Sequence, residues 1–220
     1  MIVSMEKMIL YSYFQSSASY RVRIALNHKE IPYEYRAVHL VREGGEQHKA
    51  DYKNLNPLGE VPTLVHGQKI LAQSMAIFFY LDQTYPEKIL FSKDAYEAAR
   101  ILQFCEVVNS GMQPVVNLRV RQELETRFGA DAKARESWCA YFNERGLSTL
   151  EKILEKTSGR FCFGDQVSAA DMFLIPQLFN ARRNKVDLSK YKCILKVETE
   201  CVKQEAFIKA QPKNQPDFEA

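Results

Sequence analysis

Residues 10–26 read LYSYFQSSASYRVRIAL, a short β-rich run followed by a cluster of serines and a helical stripe. The run Met8–Tyr13 predicts a buried strand, and Val22, Ala25 and Leu26 share one face of a helix. The serines therefore stand at the start of that helix, where free main-chain N–H groups favour an anion and would stabilise a bound thiolate. The alternative is a serine that caps the helix, although capping explains one serine and hardly three.

The first 85 residues alternate between strand and helix patterns. We expect strands over 33–40, 61–65 and 70–72, a polar helix over 46–55, and a further helix that starts at Gln73-Ser74. The first βαβ unit implies a parallel pair of strands, and the hairpin at residues 66–69 adds antiparallel strands. The pattern predicts a mixed sheet covered by helices.

The chain changes character after Tyr85-Pro86, where long helical patterns begin and no convincing strand follows. We assign residues 8–85 to an α/β domain, 86–95 to a linker and 96–212 to an all-helical domain. The expected helices cover 96–110, a stretch towards 124, 130–157, 168–181 and 191–210. Residues 211–220 carry two prolines and are interpreted as a frayed tail.

Composition excludes several classes of protein. Thirty basic and 27 acidic residues leave a net charge of +3, and the absence of a long basic run argues against a nucleic-acid partner. The longest fully apolar stretch, Met75–Leu81, is far shorter than the roughly 20 residues that span a membrane. Met1–Met8 lacks the apolar region of a signal peptide, so we expect a cytoplasmic protein.

The cysteines and histidines argue against a disulfide framework and against a metal site. The five cysteines are odd in number and form no Cys-x-x-Cys pair, which favours reduced, buried thiols over a disulfide framework. Four widely spaced histidines disfavour a zinc enzyme, and we predict no metal site.

Two further stretches carry candidate binding groups. Val61-Pro62 precedes an apolar strand, and a cis bond there would turn the Val61 main chain towards an extended, peptide-like ligand. An ordinary trans bond is the expectation from frequency, because only about 5–6% of such bonds are cis. At Gln73-Ser74, Ser74 is either the helix N-cap or, with nearby N–H groups, a binder of a ligand carboxylate.

Three motifs together resemble the glutathione transferase superfamily, namely SSxSxRVRIAL at 16–26, NPxxxVPTL at 56–64 and QSxAI at 73–77. The serine motif resembles the zeta class of that superfamily. The resemblance extends through GMQPxxN at 111–117 and NAxRxKVDL at 180–188, and so covers nearly the whole chain.

The resemblance implies a thioredoxin-like N-terminal domain, an all-α C-terminal domain, a homodimer and glutathione as cofactor. It implies that Ser17 is the catalytic hydroxyl and that Ser16 accompanies it at the glutathione sulfur. It also implies cofactor contacts from Gln47, Val61, Pro62, Gln73, Ser74, Gln113, Asn117 and Arg119.

Substrate contacts are expected from two arginines. The resemblance implies that Arg183 grips a carboxylate of a small acidic dicarboxylate substrate. Arg21 lies near the helix start and is a second candidate for an anion, whereas Arg23 is interpreted as part of a solvated face. Asp171 stands three residues after Ser168, as in a capping box, and is interpreted as structural.

The sequence departs from the family pattern in three places. Ala18 stands where relatives have a cysteine, which removes any mechanism that uses that thiol and leaves the serine route. Asn184 stands where an aromatic residue is more usual. The segment Glu123–Trp138 is longer than in typical relatives.

The activity implied by the resemblance is glutathione-dependent cis–trans isomerisation of maleylacetoacetate to fumarylacetoacetate, in tyrosine and phenylalanine catabolism. Isomerisation of maleylpyruvate and glutathione conjugation of α-halo acids are alternatives on the same site. A non-catalytic, glutathione-fold binding protein is a third alternative, which the retained Ser16, Ser17, Gln73, Ser74 and Arg183 disfavour.

Overall fold

A four-stranded mixed sheet organises the first part of the chain. The structure is a computed structural model and describes residues 6–219. Its strands are β1 (Met8–Ser12), β2 (Glu34–Ala37), β3 (Thr63–His66) and β4 (Lys69–Ala72), in the order β2-β1-β3-β4. β1 is parallel to β2 and antiparallel to β3, and β3 forms an antiparallel hairpin with β4. The predicted mixed sheet is confirmed.

The second strand is shorter than the sequence pattern indicates. β2 ends at Ala37, and the Val38 amide makes a last bond to the Ser12 carbonyl. The His39 amide then donates to the carboxylate of Glu46 at 2.7 Å, and the Glu46 amide donates to the His39 carbonyl. These reciprocal bonds replace the sheet ladder and turn the chain into a loop.

Four helices accompany the sheet, α1 (Ser17–His28), α2 (Ala50–Leu55), α3 (Ser74–Thr84) and α10 (Glu205–Ala210). Val22, Ile24, Ala25 and Leu26 of α1 have no exposed surface. The helix predicted over 46–55 is interrupted, because Lys49 is extended between a 3₁₀ turn at Glu46–His48 and α2.

Arg23 does not lie on a solvated face, so that interpretation was wrong. The side chain is completely buried beneath α10, which packs against α1. Its guanidinium donates to the carbonyls of Tyr13, Phe14 and Ala210 at 3.1–3.2 Å and to Ser12 Oγ at 3.1 Å. Burial lowers the pKa of Arg23. A buried cation is tolerated here because polar oxygens surround it.

The segment after α10 is ordered, so the expectation of a frayed tail was wrong. A 3₁₀ turn spans Pro212–Asn214, and the Gln215 side-chain amide donates to the carbonyls of Lys209 and Gln211, each at 2.8 Å. Hydrogen bonds to main-chain atoms fix this segment, and prolines do not disrupt them because they lie in the turn and beyond it.

A second compact unit, Leu90–Lys203, is helical. It contains α4 (Ala95–Asn109), α5 (Gln113–Val116), α6 (Leu118–Phe128), α7 (Ala132–Thr157), α8 (Ala169–Arg183) and α9 (Lys192–Cys201). The first unit consists of two chain segments, one that ends at Ile89 and one that begins at Gln204. The expected helix over 191–210 is therefore two helices, and α10 belongs to the first unit rather than to the all-helical domain.

A capping box starts α8, as the sequence indicates. The carboxylate of Asp171 accepts from the amide and hydroxyl of Ser168 at 2.9 and 3.0 Å and from the Cys162 amide at 2.8 Å. Burial raises the pKa of Asp171, although the hydrogen bonds oppose that rise.

None of the helices in residues 6–219 has both the length and the apolar character needed to cross a bilayer. The expectation about a signal peptide rests on Met1–Met8, and its first five residues lie outside the described residues.

Candidate active site

The start of α1 carries the serine cluster. Ser16 is the N-cap, and its Oγ accepts from the Ser19 amide at 3.2 Å. Ser17 is the first helical residue and is 6% exposed. Within the described residues, no hydrogen bond engages the Ser17 hydroxyl or the amides of Ser17 and Ala18. One serine thus caps the helix, and the next presents a hydroxyl beside two free N–H groups.

The turn that precedes these serines is held from two sides. The Ser16 amide closes the turn by donating to the Tyr13 carbonyl at 3.0 Å. Arg23 holds the carbonyls of Tyr13 and Phe14, and Asp217 accepts from the Phe14 amide at 3.0 Å. A turn fixed in this way preorganises the hydroxyl that follows it.

The main chain at Val61 is available for pairing. The Val61–Pro62 peptide bond is cis, so the expectation of a trans bond was wrong. The preceding Glu60 carbonyl accepts from Tyr52 Oη at 2.6 Å and Asn56 Nδ2 at 2.7 Å. In the part of the chain that the structure describes, neither the amide nor the carbonyl of Val61 has a hydrogen-bond partner. An extended peptide could therefore pair with it.

The start of α3 supplies a second anion-binding end. Gln73, not Ser74, is the N-cap, and its φ of 69° is left-handed. Such a backbone is strained in a residue other than glycine and is frequent at functional sites. The Ile77 amide bonds the Gln73 carbonyl, while no hydrogen bond in the described chain engages the amides of Met75 and Ala76. These N–H groups favour a carboxylate.

Arg21 lies buried behind the start of α3, and its contact with a substrate stays a prediction. The side chain has no exposed surface, and its Nη1 donates to Ser74 Oγ at 3.2 Å. Burial follows because Arg21 faces the start of α3 instead of solvent. The arginine thus orients Ser74 and adds a positive charge behind the start of α3.

Gln47 lies in the loop between β2 and α2 and is almost buried. Its Nε2 donates to the Leu40 carbonyl at 3.1 Å and lies 3.1 Å from Nε2 of His48. These contacts hold the loop together. The contact of Gln47 with the cofactor stays a prediction.

The three cofactor residues predicted in the helical unit lie close together in sequence. Gln113 is the first residue of α5, and Arg119 lies exposed on α6. Asn117 is the N-cap of α6, and its Oδ1 accepts from the Val120 amide at 3.0 Å. Asn117 therefore has a structural role, and the cofactor contacts of all three stay predictions.

Arg183 is the last residue of α8 and lies among other basic residues. Its guanidinium carbon lies 5.9 Å from the centre of the Phe179 ring, and the residue is exposed. The neighbouring Arg182 forms a two-pronged ion pair with Glu198, at 2.5 and 2.6 Å. Lys185 and Lys190 pair with Glu136 and Glu144. The basic face is thus largely an ion-paired one.

Family models match both units of the chain. The glutathione S-transferase N-terminal domain matches residues 6–83, and the C-terminal domain of the same family matches residues 144–200. The chain belongs to the glutathione S-transferase family. The fold and family expected from the sequence motifs are confirmed.

Relatives in this family are similar over nearly the whole chain. A maleylacetoacetate isomerase of Dictyostelium discoideum is 44% identical over 97% of this chain and 97% of its own. The holo structure of a bacterial, zeta-class maleylpyruvate isomerase is 39% identical, with a TM-score of 0.93 over 96% of this chain and all of its own. A maleylacetoacetate isomerase structure from Anaeromyxobacter dehalogenans 2CP-1, with bound dicarboxyethyl glutathione and citrate, is 35% identical, with a TM-score of 0.87 over all of this chain and 97% of its own.

The first unit of this glutathione S-transferase fits a γ-glutamyl tripeptide. Unpaired main-chain groups at Val61 match an extended peptide, and the start of α3 matches a carboxylate. The start of α1 matches a thiolate, because two free amides and the Ser17 hydroxyl meet there.

Proposed function

We propose that this protein is a glutathione-dependent cis–trans isomerase that converts maleylacetoacetate to fumarylacetoacetate in tyrosine and phenylalanine catabolism. The observation that carries the proposal is the start of α1, where the Ser17 hydroxyl and two unpaired amides can stabilise a sulfur anion. Relatives of the zeta class with this activity in their names support the choice of reaction.

When bound, glutathione supplies a thiolate whose reversible addition to the cis double bond allows that bond to rotate. Ser17, with Ser16 beside it, holds the thiol as its anion. The main chain at Val61 and Pro62 pairs with the middle of the tripeptide. Gln73 and Ser74 hold its γ-glutamyl carboxylate at the start of α3. The chain thereby contributes orientation and charge stabilisation.

The cysteines of the protein do not supply this thiolate. Ala18 stands at the position where the family pattern implies a cysteine. All five cysteines are free thiols, and burial raises the pKa of Cys139, Cys162 and Cys201. Neutral, buried thiols are poor nucleophiles, so the reactive sulfur must come from glutathione.

We expect isomerisation of maleylacetoacetate by the purified protein to require glutathione. S-methylglutathione is a matched control, because it retains the peptide and lacks the thiol. Both peptides should raise the thermal midpoint, since ligand at 100 times its Kd adds about 2.7 kcal/mol to the free energy of unfolding. Only glutathione should support turnover. Turnover without glutathione, or no thermal shift with either peptide, would contradict the proposal.

Maleylpyruvate is the alternative substrate, favoured by the similarity to the zeta-class maleylpyruvate isomerase structure. Both compounds carry a cis double bond conjugated to a carbonyl, so they use the same thiolate site. Parallel measurements of kcat/KM for the two substrates decide between them. A clear preference for maleylpyruvate would replace the proposed substrate and leave the reaction class unchanged.

Arg183 is proposed to bind a carboxylate of the substrate. A planar guanidinium donates two parallel hydrogen bonds to a carboxylate, and Arg183 is exposed at the end of α8. We expect Arg183→Ala to lower kcat/KM for acidic substrates by about 10- to 100-fold, equivalent to ~1.5–3 kcal/mol for a hydrogen bond to a charged group. Glutathione affinity should stay nearly unchanged.

The matched control for that variant is Arg182→Ala, which removes an equal charge from the adjacent position. Arg183→Lys should recover part of the lost activity, since an ammonium cannot donate as a fork. The kcat/KM for conjugation of glutathione to an uncharged electrophile should be unchanged in all three variants. Equal losses on charged and uncharged substrates would show that Arg183 supports the fold or the thiolate instead.

A homodimer and a cytoplasmic location are part of the proposal. Ile70 on β4 and Phe79 on α3 are exposed apolar side chains, 46% and 64% accessible, of the kind that an interface covers. Cysteine use supports a reducing compartment. Light scattering measures the assembly, and a monomer at micromolar concentration would overturn the dimer. Recovery of the native protein in an oxidising, extracellular fraction would overturn the location.

A further inference from the structure

The C-terminal segment 211–219 lies against the turn that precedes the serines. The carboxylate of Asp217 accepts from the Phe14 amide at 3.0 Å and from Tyr35 Oη at 2.6 Å. The ring of Phe218 packs edge-on against Phe14, with ring centres 5.6 Å apart. Beyond it, Glu219 pairs with His39 and Arg42 in the loop after β2.

Asp217 accepts a hydrogen bond from a main-chain donor that the turn itself does not satisfy. Tyr13 and Ser16 close the turn through their own hydrogen bond, and Arg23 holds the carbonyls of Tyr13 and Phe14. The Phe14 amide points instead to Asp217, which is 203 residues away in sequence. A hydrogen bond to a carboxylate is among the stronger ones in proteins.

Tyr35 fixes Asp217 from the side of the sheet. It lies opposite Leu10 in the parallel pair of β1 and β2, so its position is set by the sheet register. One carboxylate oxygen holds Tyr35 and the other holds Phe14. Asp217 thus ties the start of the serine turn to the rigid edge of the sheet.

We propose that Asp217 is a positioning residue for the reaction, which sets the Tyr13–Ser16 turn and through it the Ser17 hydroxyl and the free amides of α1. The proposal rests on the function proposed above. It predicts that loss of the carboxylate disturbs thiolate stabilisation more than it disturbs glutathione binding, because the groups at Val61 and α3 do not contact Asp217.

The experiment compares Asp217→Ala, Asp217→Asn and the control Glu219→Gln in the full-length protein. Asp217→Ala should lower kcat by about 10-fold, the effect expected for a lost hydrogen bond to a charged group. The ultraviolet absorbance of bound glutathione thiolate should require a higher pH in this variant, while Kd for S-methylglutathione changes little. Asparagine retains an acceptor for the Phe14 amide, and its Nδ2 can donate to the Tyr35 hydroxyl oxygen, so Asp217→Asn should recover most of the activity.

Glu219→Gln should behave like wild type, because it alters only exposed ion pairs. Three results would overturn the proposal: an unchanged thiolate titration in Asp217→Ala, failure of asparagine to recover activity, or an equal effect of Glu219→Gln. If Asp217→Ala does not fold, the asparagine variant and the control still decide through the same titration.

A separate measurement distinguishes failure of this proposal from failure of the proposed function. Hydrogen exchange at the Phe14 amide needs neither substrate nor cofactor, and should be faster in Asp217→Ala than in wild type. An inactive wild-type protein with this change in exchange would overturn the isomerase function and leave Asp217 as a holder of the turn. Unchanged exchange would overturn the role of Asp217, whatever the activity.

Discussion

Replacing Arg23 with methionine is expected to destabilise the first unit by about 3–5 kcal/mol, because several buried acceptors lose a donor and each unsatisfied polar group costs about 1–3 kcal/mol. Methionine fills a similar volume and donates no hydrogen bond. The carbonyls of Tyr13, Phe14 and Ala210 and the Ser12 hydroxyl would then lose their buried donor. A typical domain has only about 5–15 kcal/mol of stability, so this loss brings the protein close to unfolding.

Urea denaturation measures the effect as a lower midpoint with an unchanged slope. Arg36→Met is the matched control, because Arg36 is exposed and pairs with Glu34 at the surface, where such pairs contribute about 0–1 kcal/mol. Arg23→Lys should recover only part of the loss, since an ammonium has fewer donors to distribute among these oxygens. A change below about 1 kcal/mol in Arg23→Met would show that its hydrogen bonds are replaceable.

Ser17→Ala is expected to lower turnover by about 10²-fold with the fold intact, by analogy with the loss of one oxyanion donor. The change removes the hydroxyl that stands beside the free amides of Ser17 and Ala18. Ser16→Ala should lower turnover less, because Ser16 Oγ is occupied by the Ser19 amide and its loss costs about 1 kcal/mol of helix stability. Steady-state kinetics with saturating glutathione measure both variants.

Ser19→Ala is the matched control on the same helix. Its Oγ is completely buried and has no hydrogen-bond partner among the described residues, so its removal should change neither turnover nor stability by much. Alkylation of the cysteines tests the same scheme independently, and Cys193, the half-buried thiol, is the one that reagents reach first. Normal turnover in Ser17→Ala, or loss of activity on alkylation without unfolding, would refute the serine route.

Local patterns predicted the elements that carry the first unit. The β-rich run, the serines and the helical stripe of residues 10–26 correspond to β1, the turn and α1. A capping serine at the start of α1 was considered as an alternative, and the capping box of Ser168 and Asp171 was predicted from spacing, because capping involves residues within about one turn of each other. The end of β2 was not predicted, because the hydrogen bonds between His39 and Glu46 set it. The break at Lys49 was not predicted either, because it depends on the 3₁₀ turn at Glu46–His48 that precedes it.

The two arginines of the serine motif show where local reasoning fails. Arg21 and Arg23 look like exposed residues in a helix pattern, yet both are completely buried. Their partners are Ser74 of α3 and, for Arg23, Ala210 of α10, which lie 53 and 187 residues away. The spacing of apolar residues within α1 contains no information about partners so distant in sequence. Burial of an arginine nevertheless depends on such partners.

By itself, the sequence determined the family, the strand–turn–helix that presents Ser17, and the chemical class of the cofactor, because motifs and periodicities are local properties of the chain. Only the tertiary structure decided that Arg21 supports Ser74, that Arg23 and Asp217 hold the serine turn, and that residues 211–219 belong to the first unit. These contacts join residues up to 203 positions apart. They form only when the folded chain brings both partners out of water together, so no local pattern encodes them.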